Sequence, residues 1–380
     1  MDGPRRPRTE ELDSVVDLLC DVWPHFRGRY SREQLRAGIR RPLHRRMARI
    51  IVEDGRAVSN IQVLYNYVSV YGSRFKVASI GGVCTREDCR GRGLASAVLG
   101  RCLEETAAAG ARILYVSGDR GIYRRNHCVK AGQFFQVELR PDSLVPAGAS
   151  VPAESSVSLR RVSTGDWPML APLHQAEPVR FLRRADFLSR TVFWWDEFHP
   201  EIWLVERDRR ALAYLVLAPP RWAEPGDTTG IVTEYAGSRA AILAALPSLF
   251  EVGAVSSALF SVPAWDRDML HLLAGLGAPL TPVTLPDHTI RLLNLPGLIQ
   301  QLRGHLAALL PRRDLRRLSF GQQGEKCLLK FGEQEAELDL SQAARLVFGA
   351  PDAPDVSGDL GQVLSRIFPL PIPPPGVNFI

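Results

Sequence analysis

The run Arg90-Gly91-Arg92-Gly93-Leu94-Ala95-Ser96 is the part of this sequence best suited to hold an anion. Gly91 and Gly93 permit positive φ and a close backbone approach to a ligand. Leu94, Val98, Leu99, Cys102 and Leu103 recur at helical spacing, so the loop opens a helix over Leu94–Ala109, closed by Gly110. The unpartnered N–H groups of a first turn and the positive end of its dipole suit phosphate oxygens, and Arg90 and Arg92 add charged donors. Rival phosphate-binding patterns fail on spacing. A dinucleotide fold wants G-x-G-x-x-G in the first strand–helix unit, with an acidic residue about 20 positions on. A Walker loop wants a lysine that is absent here. The remaining alternative is a Gly-Arg-Gly turn without a ligand.

Other reactive residue types exclude more than they suggest. The six cysteines, at 20, 84, 89, 102, 128 and 327, form no CxxC pair and have no histidine cluster beside them. That argues against zinc and against a disulfide framework, and for buried thiols in a reducing compartment. None has a recognisable His–Asp partner set, so covalent catalysis is not expected. His127, next to arginines, reads as a solvated side chain rather than a base.

The elements that must position the loop follow a clear order. A helical stretch, Glu10–Val22, precedes strand-like runs at Arg49–Val52, Ala57–Tyr67 and Lys76–Thr85, with an Asp54–Gly55 hairpin turn between the first two. Ile80–Thr85 leads into the glycine loop and its helix. An apolar strand, Arg112–Ser117, a short helical piece at Ile122–His127 and a strand near Gln133–Arg140 complete the first block. A Pro-, Ala-, Gly- and Ser-rich stretch, 141–156, reads as a linker. Residues 157–287 repeat the same coarse order without the glycine loop. Residues 288–380 hold an apolar strand-to-helix passage, a strand pair at Lys326–Phe331 and Glu335–Leu340, and a proline-rich tail, Phe368–Ile380. The expected fold class is α/β (α+β), with mixed sheets flanked by helices.

At this point Arg90-x-x-Gly93-x-Ala95, between a strand and an amphipathic helix, resembles the Q/R-x-x-G-x-G/A loop of GNAT acetyltransferases. The resemblance implies an acetyl-CoA donor. Val83, Cys84 and Thr85 would face its pantetheine arm, and Gly91–Ser96, with Arg90, Gly93 and Ala95 at the motif positions, would cradle its pyrophosphate. Gly121-Ile-Tyr-Arg-Arg125 is similar to the family's I-Y-x-R passage and makes Tyr123 the expected general acid for the departing thiolate. His127–Cys128 stands where the family has Gly–aromatic. The whole layout resembles the enhanced-intracellular-survival (Eis) type: a catalytic GNAT domain (1–140), a degenerate GNAT-like domain (157–287) and a C-terminal sterol-carrier-like α+β domain (288–380). In that group the last carboxylate enters the active site, which implies a proton-accepting or anchoring role for the α-carboxylate of Ile380. An acceptor loop is implied at Val22–Tyr30, with His25 and Phe26 as substrate contacts, and Trp194 and Trp195 are further aromatic candidates.

The implied reaction is N-acetyl transfer from acetyl-CoA to a primary amine of a small molecule or peptide, by direct attack in a ternary complex, with no metal. An alkylamine of pKa near ~10 must first lose a proton, and a backbone N–H of Val83–Thr85 could hold the oxyanion. Alternatives are a non-catalytic acetyl-CoA-binding or sensing protein, and a lipid carrier working through its third domain. The net charge of +6 is almost all arginine, with four lysines among 47 basic residues scattered in short pairs, which does not make a nucleic-acid footprint. No apolar run suits a bilayer and no apolar segment follows the polar start, so no membrane partner and a cytoplasmic location are expected. The Eis-type resemblance suggests a homo-oligomer.

Overall fold

The computed structural model describes residues 1–23, 33, 46–144, 157–183, 201–218 and 228–378. His25, Phe26, Trp194, Trp195 and Ile380 lie outside the described residues. The first strands are β1 (Asp2–Arg5), β2 (Ala48–Glu53), β3 (Arg56–Val70), β4 (Ser73–Thr85), β5 (Ile113–Ser117) and β6 (Phe134–Leu139). The middle of the chain gives β7 (Ser158–Arg161), β8 (Val179–Leu182), β9 (Glu201–Arg207), β10 (Arg210–Ala218), β11 (Thr229–Gly237), β12 (Ser257–Pro263), β13 (Thr281–Val283) and β14 (His288–Leu292). The last strands are β15 (Leu318–Gln323), β16 (Lys326–Phe331) and β17 (Gln334–Asp339).

These strands build three sheets. The first runs β1-β2-β3-β4-β5-β14, and β8 pairs with the far half of β3. The second runs β13-β6-β12-β11-β10-β9-β7, and the third is β15-β16-β17. Both large sheets are mixed: β4 and β5 run parallel, as do β11 and β12, whereas the hairpin neighbours are antiparallel. Asp54–Gly55 turns with φ of 48° and 75°, the left-handed pair that a tight hairpin between twisted strands requires.

Three strands lie across the boundaries expected from sequence, and one of them is β8, read within the second block but paired with β3 of the first sheet. β6, read as the end of the first block, pairs with β12 in the second sheet. β14, read as the opening of the third block, pairs with β5 in the first. The first sheet therefore takes strands from both later blocks and gives one to the second sheet. No such segment's alternation of apolar residues could carry an address, because period-two patterning fixes a face and not a partner.

Helices cover the sheet faces. The helix Leu94–Ala108 packs on the first sheet through Leu94, Val98, Leu99 and Cys102, against Ile61, Val63, Ala78 and Ile80. The helix Leu12–Val22 buries Leu12, Val15 and Val16 against Ile50 and Cys84. A larger core joins Val68, Phe75, Val77 and Tyr115 of the first sheet to the C-terminal helices and to Leu370 and Ile372 of the tail. Arg49, buried in β2, donates to Glu105 of the helix and to carbonyls of residues 46–48, so its charge is paired rather than stranded. No helix among the described residues is long and apolar enough to cross a membrane.

Candidate active site

The site begins with an interruption in β4. Parallel pairing with β5 runs from Val77↔Ile113 to Ile80↔Val116 and stops. Just beyond, β4 holds one residue more than β3, since Gly81 faces Gln62 and Cys84 faces Asn60. Such a bulge bends its strand, and Asn60 Nδ2 pins it by donating to the Gly82 carbonyl at 2.7 Å. Among the described residues, β4 from Gly81 to Thr85 thus has a partner strand only on the β3 side. Its other edge is free to bind an extended ligand arm.

The chain then turns through Arg86–Gly93 into the helix Leu94–Ala108. Gly91 and Gly93 have φ of 78° and 76°, and an added Cβ at either would meet nothing within 4 Å. They are needed for the left-handed backbone, and the space over them is open to a ligand. Among the described residues, Ala97 N is the first helical N–H with a backbone acceptor, Gly93 O at 3.0 Å. The N–H groups of the preceding turn are left for something else.

A groove of about 700 Å³ joins the two features. Val83, Cys84 and Thr85 form one wall. Arg90, Gly91, Gly93, Leu94, Ala95 and Ser96 form the cradle, and Tyr123 stands at the far side. Among the described residues none of the lining is acidic, and three are arginines: Arg90, Arg120 and Arg125. That charge suits a ligand with several phosphates.

Arg92 behaves differently from expectation. Its guanidinium pairs with both oxygens of Glu53 in β2, at 2.7 and 2.9 Å, and does not line the groove. It ties the loop to the sheet. Arg120 and Arg125 escaped the sequence reading, although they bracket the Gly121–Arg124 turn on which Tyr123 sits. Arg120 also lies over the Trp23 ring, 5.3 Å from its centroid, and so brings the end of the first helix into the wall.

Tyr123 is only 2% exposed. Burial pushes its hydroxyl up to about 12, against the opposing pull of the nearby Arg120 charge. Among the described residues that hydroxyl has no hydrogen-bond partner, which leaves its proton available to a ligand in the groove. Cys84 contributes backbone: its thiol sits in the core beside the first helix, where burial raises it to about 12. All six cysteines are free and buried, so none is an exposed thiolate nucleophile. His127 faces away, with Nδ1 2.9 Å from Ser341 Oγ and Nε2 3.1 Å from Glu325. It joins the first sheet's helical turn to the C-terminal part. Among the described residues no group of three His, Cys, Asp or Glu side chains could hold a metal.

Comparison with known proteins bears on this arrangement. Residues 4–128 match the family model described as acetyltransferase (GNAT) domain. This part of the chain is therefore similar to a GNAT acetyltransferase domain. The matched span contains every groove-lining residue named above, Tyr123 and Arg125 included. In fold, the chain is similar to a GCN5-related N-acetyltransferase from Kribbella flavida at 18% identity, with 97% of each chain covered and a TM-score of 0.65. It is also similar to one from Anabaena variabilis at 14% identity, again with 97% of each covered and a TM-score of 0.66. Eis1 from Mycobacterium abscessus is 14% identical, over 88% of this chain and 90% of that one, with a TM-score of 0.56. No curated protein sequence matches the chain. The match supports an acyltransferase of a family that uses acyl-CoA donors, and the whole-chain likenesses place all three sheets within one multi-domain fold.

Proposed function

We propose that the protein transfers an acetyl group from acetyl-CoA to a primary amine, by direct attack with both substrates bound. The observation that carries this reading is a conjunction: the free edge of β4, the uncapped helix start and the unpartnered Tyr123 hydroxyl line one groove without acidic side chains. In it, the pantetheine arm lies along Val83–Thr85 and the pyrophosphate rests on Gly91–Ser96, with Arg90 beside it. Arg92 supports the loop through Glu53 rather than touching phosphate. Tyr123 donates its proton to the leaving sulfur. Its raised pKa keeps the phenol protonated across physiological pH, so it enters the reaction as a proton donor rather than a base. A backbone N–H at the β4 bulge supplies oxyanion stabilisation. The amine's proton goes to the carboxylate of Ile380 or to water, and the acceptor enters near Trp23 and the His25–Phe26 segment. The C-terminal three-stranded unit is read as the sterol-carrier-like domain, the second sheet as the degenerate GNAT-like one, and the setting as cytoplasmic. A small-molecule or peptide amine is the expected acceptor, and the assembly is expected to be homo-oligomeric.

The test is calorimetric titration with acetyl-CoA, followed by an amine panel scored by free thiol released. Gly93→Glu sets a carboxylate among the donors and strains the left-handed backbone, and should weaken binding by roughly 100-fold, about 2.7 kcal/mol. A wild type that binds neither acetyl-CoA nor CoA would sink the proposal. Tight binding with no turnover on any amine would instead support a sensing protein.

A further inference from the structure

The second sheet has an opening of the same kind as the catalytic one, and it is full. Parallel pairing of β11 with β12 ends at Val232↔Phe260. There, too, the inner strand gains a residue, Thr233, between the pairs Leu217↔Val232 and Val216↔Glu234. The space left over is about 60 Å³, against about 700 Å³ in the first sheet. Pro373, Pro374 and Asn378 of the C-terminal tail help to line it.

The tail is tied down along its length. Trp265 Nε1 donates to the Ile372 carbonyl at 3.2 Å, and Val377 is buried with Leu170, Tyr214 and Val216. Gly376 passes over the bulge itself: its φ is 50°, and a Cβ there would stand 3.1 Å from Thr233 O and 3.2 Å from Glu234 Oε2. Asn378, 3% exposed, is held from two sides. Arg183 Nε donates to its Oδ1 at 2.7 Å, and Asn66 Nδ2 of β3 donates to its carbonyl at 3.1 Å. Arg183, itself only 4% exposed, pairs its two other nitrogens with the Glu234 carboxylate. Tyr214 donates to the same carboxylate at 2.7 Å.

A charged cluster this deep is costly unless it is complete, and its outermost contact is a residue two from the chain end. We infer that the opening of the second sheet is the seat of the C-terminal tail, and that Arg183 and Glu234 are positioning residues for acetyl transfer. Through Asn378 and Asn66 they fix where the chain end leaves the second sheet and meets β3, a strand of the catalytic sheet. This inference rests on the proposed reaction and on the chain end taking part in it.

The experiment pairs hydrogen–deuterium exchange of the tail peptide with steady-state kinetics on the full-length protein. Arg183→Met removes the central cation. Asn378→Ala removes only the outer contacts and keeps the test open should the first variant fold poorly. The loss of a hydrogen bond to a charged group is worth roughly 10–100-fold, so tail exchange should accelerate by about that factor. kcat should fall by a similar factor, while the Kd for acetyl-CoA stays within about twofold, since the groove residues are untouched. Unchanged tail exchange in both variants would overturn the seat. Faster exchange with unchanged kcat would overturn the positioning role. A wild type that transfers no acetyl group would remove the positioning role and the proposed function together, and the exchange measurement would still decide the seat.

Discussion

The two large sheets open at corresponding points, yet one opens into a groove that three arginines help to line while the other is closed by the protein's own groups. In the first, β4 is followed by the loop Arg86–Gly93, and the helix behind it begins with bare N–H groups. In the second, Ser238 alone separates β11 from the helix Arg239–Glu251, and its hydroxyl caps Ala241 N. Carboxylates complete the closure. Glu177 accepts from Gly237 N at 2.9 Å and pairs with Arg239 at 2.6 Å, while Asp266 takes Tyr235 and Arg239 from the other side. A helix start attracts negative charge. Where the chain supplies none, a site for a ligand's phosphates remains. Where it supplies its own, the same architecture becomes structural.

This contrast can be tested by damaging each opening in turn. The largest effect should come from Tyr123→Phe, which removes the only proton the phenol can give. We expect a kcat loss of roughly 10²–10⁴-fold, with acetyl-CoA affinity unchanged in the same calorimetric titration. Equal loss of affinity would mean that the ring, not the proton, mattered.

Glu234→Gln attacks the closed opening. Breaking a buried ion pair costs about 3–5 kcal/mol, readable as lowered stability in urea with the acetyl-CoA groove still competent to bind. The pH dependence has a definite sign. Burial raises the Glu234 carboxyl, but the Arg183 charge prevails and holds it at about 2, below its ordinary 4.5. A depressed folded value contributes stability above the unfolded one and loses it as pH falls. The wild type should therefore lose more stability than Glu234→Gln between about pH 4.5 and pH 2. Parallel melting curves for the two proteins across that window would remove Glu234 from the account. The smallest effect is Gly376→Ala, where a side chain at a left-handed φ beside two oxygens should cost about 1–2 kcal/mol. It should be measured as urea midpoint together with tail exchange, because a loss confined to the tail is what the seat requires.

The opening in the first sheet is the more legible of the two. Gly91 and Gly93 advertise the left-handed turn, and Leu94 to Leu103 the helix it begins, so loop, helix and strand order all follow from local chemistry. Arg92 was misjudged because its partner, Glu53, is 39 residues away and no local pattern links them. Arg183 was invisible for the same reason: Glu234 lies 51 residues away and Asn378 lies 195 away. Local propensity writes motifs plainly. Long-range polar pairing, like the destination of β6 and β14, exists only once the strands have assembled.

The late arrival of β14 has a consequence for how the protein is made. While the chain emerges from the ribosome, the outer edge of β5, Ile113-Leu-Tyr-Val-Ser117, must wait for its partner until residues 288–292 have been synthesised. An apolar strand edge in waiting invites association with other chains. The first sheet thus cannot be completed in a nascent fragment, and a gene segment ending after β6 would encode a half with a raw edge at β5 and a strand that pairs in the second sheet.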